Sequence, residues 1–408
     1  MGEPFMKARV ESGLDVLVKE QMECLRGKRV ALLGNPISVD KDLVHVVDRC
    51  LSFDINLVRL FGPEHGLYGD AQDMDHVKGH IDRRTNLECI SLYGQNRESL
   101  FLNPDDLSGV DILVCDLQDV GSRYYTFSYT IAFAMMACAK MGVKCMVLDR
   151  PNPIGGHRIE GNRVKPGFQS FVGEYPLHNR HGYTLGELCS FFQEQHRSQN
   201  LECDLDVVWM NGWKRNMRFS DTGLPWVMPS PNMPTEDTAL VYPGLCLLEG
   251  TNLSEGRGTT RPFELIGAPY IEDPERFAAA VSETAGPGVQ FRPCYFRPTF
   301  QKHGGQLCGG FQIHITDPVQ FQPLRTGVAI IQAAYTLPGF DWRREVYEFV
   351  SDRLAIDLLF GDDSPRKALE KGATVDDVAL LLDCESDEDQ DTWRQHWHEK
   401  YDVSPVIP

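Results

Sequence analysis

Short apolar runs alternate with helical periodicity along the first 150 residues of the chain. Residues 29–34, 56–61, 111–115 and 144–148 are apolar and bounded by Gly, Asp or Lys, which is typical of buried strands. Residues 125–141 form a longer apolar stretch that predicts a helix between two of these strands. Strands alternating with helices predict an α/β fold with a parallel sheet and helices on both faces.

The second half has a different pattern. A proline-rich segment at 225–234 favours extended, semi-rigid backbone, so we place a domain boundary there, with domains at 1–225 and 226–408. Beyond it, helix candidates at 274–285 and 328–337 and strand candidates at 291–297 and 309–316 predict an α+β domain. The acidic run at 384–391 is expected to be a solvated linker before a last helix.

Composition narrows the choice of partners and location. The net charge of −18 disfavours general binding to nucleic acid or to an anionic membrane surface, and no stretch approaches the ~20 apolar residues of a membrane helix. The first 19 residues carry charges throughout and show no export signal. Twelve cysteines without a C-x-x-C pair indicate reduced thiols. We therefore expect a cytoplasmic protein with a small-molecule substrate.

Polar, Gly- and Pro-rich loops follow the predicted strands at 35–36, 62–66, 116–123 and 149–153. The carboxyl ends of parallel strands lie at one edge of a sheet, and ligands bind at that edge. In the turn at 62–66, proline fixes the backbone and glycine allows close approach of a ligand. Glu64 is therefore a candidate general acid, and His65 is either its catalytic partner or a packed histidine.

Further candidates for binding a substrate occupy the other loops. Carboxylates around 116–119 suit either a ligand or the orientation of a nearby arginine, and the segment 249–264 is dense in carboxylates, guanidiniums and hydroxyls. The candidate binding residues are Asp116, Gln118, Arg123, Tyr124, Asp149, Asn152, Asn232, Glu249, Asn252, Glu255, Arg257 and Arg261. Nucleotide and metal motifs such as G-x-G-x-x-G and H-E-x-x-H are missing from the sequence, so we predict neither a cofactor nor a metal.

Several of these segments resemble one known family, the NamZ-type exo-β-N-acetylmuramidases. The matching segments are FGPEHG at 61–66, DLQDVGSRYYTF at 116–127, LDRPNPIGG at 148–156, PSPNMP at 229–234, EGTNLSEGRGT at 249–259 and LCGGFQIHIT at 307–316. The resemblance extends along nearly the whole chain. It implies a Rossmann-like N-terminal catalytic domain, a C-terminal α/β domain, and an active site in the cleft between them.

The resemblance also implies an activity, release of N-acetylmuramic acid from the non-reducing end of peptidoglycan fragments, with Glu64 as the catalytic glutamate. The lactyl carboxylate of muramic acid calls for a guanidinium, for which Arg123, Arg257 and Arg261 are candidates. Glu249, Glu255 and Asp116 are candidates for a second carboxylate, and the acetamido oxygen of the substrate is an alternative nucleophile. Members of this family often carry an export signal, which this sequence does not show.

Two other hypotheses remain at this stage. A metal-dependent hydrolase or transferase acting on another acidic or phosphorylated sugar would use the same carboxylates and lose activity with a chelator. A catalytically inactive sugar-binding protein would bind N-acetylmuramic acid without turnover.

Overall fold

The computed structural model describes residues 10–69, 79–382 and Tyr401, so the acidic run at 384–391 lies outside the described residues. Within them, twelve strands follow one another: β1 (Val30–Gly34), β2 (Leu57–Gly62), β3 (His80–Ile81), β4 (Glu88–Ser91), β5 (Ile112–Asp116), β6 (Lys144–Leu148), β7 (Glu160–Arg163), β8 (His178–Arg180), β9 (Asp204–Val208), β10 (Leu265–Ala268), β11 (Val289–Phe296) and β12 (Cys308–Ile315). The α-helices in the same part of the chain are α1 (Gly13–Lys19), α2 (Val46–Ser52), α3 (Phe127–Met141), α4 (Leu185–Arg197), α5 (Phe219–Thr222), α6 (Glu236–Leu245), α7 (Pro274–Ser282), α8 (Pro323–Tyr335), α9 (Ala355–Phe360), α10 (Ser364–Glu370) and α11 (Val375–Leu381).

The main sheet has seven strands in the order β3-β4-β2-β1-β5-β6-β9. All neighbouring pairs are parallel except β3 with β4, at one edge. The predicted parallel sheet is therefore confirmed, and its four predicted strands are β1, β2, β5 and β6.

The central strands are buried on both faces, because successive side chains point to opposite sides of a sheet. Ala31 and Leu33 of β1 belong to one hydrophobic cluster, which includes residues of α3 and α4. Val30 and Leu32 belong to another, which includes residues of α1 and α2. This arrangement explains why the strands read as continuous apolar runs, and it confirms helices on both faces.

A three-stranded antiparallel sheet, in the order β10-β12-β11, forms the centre of the second half. Helices α6 and α8 approach each other closely nearby, since a Cβ atom on Gly244 would lie 1.7 Å from the carbonyl oxygen of Pro323. The predicted α+β arrangement is thus present. No helix within the described residues is long and apolar enough to span a membrane.

The two halves share one hydrophobic core. A single cluster of buried side chains runs from Leu113 and Ile131 near the main sheet to Leu245, Val328 and Ile356 in the second half. A continuous cluster does not mark where one domain ends and the next begins. The domain boundary between residues 225 and 226 therefore stays a prediction. The shared core also fixes the loops of both halves against each other at the carboxyl edge of the main sheet.

Candidate active site

A pocket opens at this edge, and both halves contribute to its wall. It contains about 480 Å³ of space outside protein atoms, part of it open to solvent. We call it the Glu64 pocket. Its lining residues are Glu64, His65, Tyr124, Tyr125, Thr126, Phe127, Val172, Ser230, Asn232, Met233, Tyr242, Glu249, Arg257, Phe263, Tyr347 and Glu348.

Glu64 lies on a tight turn directly after β2. His65 and Gly66 both have left-handed backbone, with φ of 69° and 79°, and this reverses the chain at once. A Cβ atom on Gly62 would lie 2.7 Å from the backbone nitrogen of Leu67, so only glycine fits where the turn closes. The turn holds the Glu64 side chain in the pocket with 6% of its surface exposed.

Thr126 supports the Glu64 carboxylate from the start of α3. Its hydroxyl donates a hydrogen bond to Glu64 Oε2 at 2.9 Å. Thr126 is also the N-cap residue of α3, yet its side chain makes no capping hydrogen bond to the helix. A threonine at this position ordinarily stabilises the helix N-terminus. Here its hydroxyl is used to orient a carboxylate instead.

A second carboxylate, Glu249, lies in the same pocket. Arg257 Nη2 donates to Glu249 Oε1 at 2.7 Å, and the Tyr347 hydroxyl donates to Glu249 Oε2 at 2.7 Å. Burial alone would raise the pKa of Glu249, but the guanidinium and the phenol hydroxyl hold it below its ordinary value. Glu249 is therefore ionised at neutral pH.

Arg257 also lies next to an ion pair formed by Glu255 and Lys302. Glu255 lies 3.5 Å from Arg257 Nε, and Lys302 Nζ lies 2.9 Å from Glu255 Oε2. Lys302 also donates to the carbonyl oxygens of Leu248 and Leu253, which fixes the loop that carries the cluster. Two cations and two carboxylates thus balance one another in this buried group. The ring of Phe263 packs 5.1 Å from the guanidinium of Arg257.

Part of the strained backbone in the described chain lies at the pocket. Three of its lining residues, His65, Phe263 and Glu348, have left-handed φ values of 69°, 61° and 46° although none is glycine. Such conformations cost about 1–3 kcal/mol each and persist where the surroundings enforce them. Their grouping at one pocket is typical of a functional site.

The structure brings six predicted site residues together in the Glu64 pocket: Glu64, His65, Tyr124, Asn232, Glu249 and Arg257. It places the other eight elsewhere. Glu255 contacts Arg257 but does not line the pocket. The remaining seven form hydrogen bonds or ion pairs with other parts of the protein.

Four of these seven lie at the end of β5 or in the loops that follow β5 and β6. Asp116 forms a bidentate ion pair with Arg150, at 2.6 and 2.9 Å, and Gln118 donates to the carbonyl oxygens of Asp119 and Pro151. The Asp149 carboxylate accepts hydrogen bonds from Thr184, the backbone of Arg150 and Gly186, and the Tyr401 hydroxyl. Asn152 bridges the Tyr183 carbonyl and the Ile154 amide and shapes its own turn.

The three others are Arg123, Asn252 and Arg261. Arg123 is buried, and its guanidinium donates to the carbonyl oxygens of Asn162, Leu177 and Leu359. Arg261 is half-exposed and pairs with Glu264 at 3.2 Å. Asn252 donates to the Gly339 carbonyl and accepts from the Tyr270 hydroxyl. None of the three lines the Glu64 pocket.

The sequence did not single out several lining residues. Thr126 and Ser230 lie within segments that resemble the NamZ family, at 116–127 and 229–234. In these segments the sequence pointed to their neighbours Tyr124 and Asn232 instead. Tyr347 and Glu348 come from a stretch without any motif, about a hundred positions after Glu249. Only the folded chain brings them to the pocket.

Together, the fold and the pocket define a class: an α/β protein with three carboxyl side chains, those of Glu64, Glu249 and Glu348, in a polar pocket at the carboxyl edge of its parallel sheet, as enzymes acting on hydroxylated substrates do. Two family models match the chain, "Exo-beta-N-acetylmuramidase NamZ, N-terminal" at residues 30–237 and "Exo-beta-N-acetylmuramidase NamZ, C-terminal" at residues 240–397. The chain therefore belongs to the NamZ family, and the resemblance noted in the sequence is confirmed.

Known proteins agree with this assignment. The chain is 45% identical over 373 residues to the peptidoglycan beta-N-acetylmuramidase NamZ of Bacillus subtilis (strain 168), covering 91% of this chain and 87% of that protein. Crystal structures of two DUF1343 family proteins of Bacteroides fragilis are also similar. One has a TM-score of 0.83 at 32% identity, covering 96% of this chain and 98% of that chain. The other has a TM-score of 0.73 at 26% identity, covering 95% and 98%.

Proposed function

We propose that this chain is an exo-β-N-acetylmuramidase, a glycosidase that releases N-acetylmuramic acid from the non-reducing end of peptidoglycan fragments. The observation that carries the proposal is its 45% identity, over most of both chains, to a Bacillus subtilis protein named for β-N-acetylmuramidase activity. That relative supports this hypothesis over the metal-dependent and inactive alternatives. The Glu64 pocket supplies the carboxylates that glycoside hydrolysis requires.

Glu64 is the proposed general acid and base. A catalytic carboxyl group must reach the glycosidic oxygen in a fixed orientation, since misplacement by about an ångström is costly. The turn after β2 and the hydrogen bond from Thr126 support such an orientation. Glu64 would protonate the leaving oxygen and then take a proton from the attacking water.

Glu249 is the proposed second carboxylate. Of the three candidates from the sequence, it is the one that lines the Glu64 pocket. Arg257 and Tyr347 keep its pKa low, so it carries the negative charge that stabilises a developing oxocarbenium ion or orients the acetamido group. Asp116 is committed to Arg150, and Glu255 is committed to Lys302.

Arg257 is the proposed ligand for the lactyl carboxylate. It is the one candidate arginine among the lining residues of the pocket. Its guanidinium is oriented by Glu249, Glu255 and the Phe263 ring, which reduces the entropy lost when an anion binds. Asn232 and Tyr124, and the newly found Ser230, would hydrogen-bond to sugar hydroxyls or to the acetamido group.

We also propose a cytoplasmic location. Eleven cysteines in the described part of the chain are free thiols, and most of them are buried. Unpaired thiols are typical of a reducing compartment. Cell fractionation with an antibody against the native protein tests the location.

The activity is tested by release of p-nitrophenol from p-nitrophenyl β-N-acetylmuramic acid, with the N-acetylglucosamine compound as the matched control and with EDTA in parallel. We expect turnover of the muramic compound alone, unchanged by EDTA. Turnover that EDTA abolishes would favour the metal-dependent alternative. Binding of N-acetylmuramic acid without any turnover would favour the inactive sugar-binding protein.

A further inference from the structure

The Glu64 pocket has little free space inside its wall. The volume that the centre of a water molecule can occupy there is about 40 Å³, which is enough for a few water molecules. A pyranose ring with its substituents is much larger than that. Some part of the wall must therefore move before a sugar can enter.

Much of the wall is held in place by buried packing or by buried charges. Phe127 and Phe263 belong to the hydrophobic core that the two halves share. Glu249 and Arg257 form a buried ion pair at 2.7 Å. Moving these residues would open the core or separate buried charges, and both changes are costly.

One segment of the wall is held differently. Residues 343–350, which we call the strap, lie outside every helix and strand given above and contribute Tyr347 and Glu348 to the pocket. The three residues before Tyr347 are exposed to solvent. The amide of Arg343 donates a hydrogen bond to the carbonyl oxygen of Gly250 at 2.9 Å, which attaches the start of the strap. A segment with so much exposed surface opens more readily than the core.

The tip of the strap is a strained two-residue turn. Tyr347 and Val350 exchange backbone hydrogen bonds at 3.1 and 2.9 Å, and the two residues between them, Glu348 and Phe349, have φ of 46° and 65°. Turns with two left-handed central residues favour Asn and Gly at these positions. Glu and Phe are unfavourable there, so the surrounding contacts must hold the tip in this conformation.

These contacts come from both halves of the chain. Tyr347 is part of the shared core, and its hydroxyl donates to Glu249 Oε2 at 2.7 Å. Phe349 is half-buried against the ring of Tyr93, which follows β4, with ring centroids 6.0 Å apart. Glu348 lies between them in the chain and lines the pocket. The tip therefore bridges the two halves at the Glu64 pocket.

We propose that the strap is a lid, which opens to admit a sugar to the Glu64 pocket and closes before the glycosidic bond is broken. Opening separates Phe349 from Tyr93 and Tyr347 from Glu249, and it lets the strained turn relax. Closing returns the Tyr347 hydroxyl to Glu249 and excludes water from the pocket. The opening rests on the pocket volume and the geometry of the strap, whereas the identity of the sugar rests on the proposed function.

Hydrogen–deuterium exchange of the strap, measured by mass spectrometry on the full chain without a ligand, tests the opening. Phe349→Ala removes the contact with Tyr93, so exchange should become at least about fivefold faster, as loss of one aromatic pair implies. Val346→Ala, at an exposed position of the same strap, is the matched control and should change nothing. Circular dichroism checks that each variant is folded.

A second pair of variants tests the strained turn and does not depend on the folding of Phe349→Ala. Glu348→Asn and Glu348→Gln both remove the charge, but asparagine adopts left-handed backbone more readily than glutamine. Exchange of the strap should therefore be slower in Glu348→Asn than in Glu348→Gln.

Turnover of p-nitrophenyl β-N-acetylmuramic acid tests the need for closure. We expect a several-fold lower kcat in Phe349→Ala and an unchanged kcat in Val346→Ala. Equal exchange in the wild-type protein and a folded Phe349→Ala variant, or in the two Glu348 variants, would overturn the proposal. So would an unchanged kcat in a Phe349→Ala protein whose strap exchanges faster. If exchange responds as expected but even the wild-type protein hydrolyses no muramic compound, the proposed function fails and the opening of the strap stands.

Discussion

Both sides of the carboxyl edge of the main sheet carry carboxylates, but these differ in how many hydrogen bonds the protein donates to them. At the carboxyl ends of β5 and β6, Asp116 accepts two hydrogen bonds from Arg150, and Asp149 accepts hydrogen bonds from four donors. After β2, one side chain among the described residues, Thr126, hydrogen-bonds to the Glu64 carboxylate. A carboxylate that already accepts several hydrogen bonds from the protein holds loops together. A carboxylate that accepts only one can still accept hydrogen bonds from a substrate.

Glu64→Gln tests this comparison most severely. The amide keeps the shape of the side chain but cannot transfer the proton, so we expect kcat to fall by about 10²–10⁴-fold. The melting temperature should stay close to that of the wild-type protein. Asp119→Asn is the control for loss of one buried carboxylate in the same half. Near-normal turnover by a folded Glu64→Gln protein would remove Glu64 from the mechanism.

Arg123→Leu should affect stability rather than specificity. Its removal leaves three buried carbonyl oxygens without their donor, so we expect a loss of at least about 3 kcal/mol in the free energy of unfolding. Urea denaturation measures this loss. If the variant were as stable as the wild-type protein but bound muramic acid poorly, Arg123 would belong to the binding site after all.

Arg257→Lys should affect specificity. Lysine keeps the charge beside Glu249 but loses the planar fork that fits a carboxylate, so the inhibition constant of N-acetylmuramic acid should rise about tenfold. The methyl ester of N-acetylmuramic acid, which lacks the lactyl charge, should be affected much less. Arg261→Lys is the matched variant outside the pocket and should change neither constant. Equal losses for the acid and the ester would contradict the assignment.

Thr126→Val should lower kcat by about tenfold, since one hydrogen bond to a charged group contributes roughly 1.5 kcal/mol. The helix should not be weakened, because this N-cap side chain makes no capping bond. Thr126→Ser, which keeps the hydroxyl that donates to Glu64, should restore activity. A melting temperature that falls in parallel with kcat would instead indicate a structural role.

Asp149 predicts a dependence of stability on pH. Burial raises the pKa of Asp149 from 3.8 to about 7, although hydrogen bonds from Tyr401 and Gly186 oppose the shift. The folded state therefore binds a proton more tightly than the unfolded state. The stabilisation is complete below about pH 4 and is lost as the pH rises to about 7. The melting temperature of Asp149→Asn should fall less between pH 5 and pH 7.5 than that of the wild-type protein.

Much of the fold follows from local pattern. The four central strands and α3 were predictable because apolar runs and helical periodicity are short-range signals. The turn that carries Glu64 was predictable from its glycines and proline. These features depend on neighbouring residues in the chain, so the sequence alone was sufficient.

The candidate site was predictable only in part, because the hydrogen-bond and ion-pair partners of a charged side chain are often distant in sequence. Arg123 and Arg257 look alike in the sequence, yet carbonyl oxygens from 39 to 236 positions away occupy Arg123. Tyr347 reaches Glu249 across 98 positions. Local composition contains no information about such pairings, which is why eight of the predicted residues lie outside the Glu64 pocket.

The core shared by the two halves limits how this enzyme can diversify. Side chains from Leu113 to Ile356 belong to one packed cluster, so neither half can be exchanged for a foreign segment without rebuilding that packing. Exchange of either half for an unrelated domain is therefore expected to destabilise the fold. New substrate preferences are expected to arise by point substitution in the loops above the sheet, at pocket positions whose side chains lie outside this cluster.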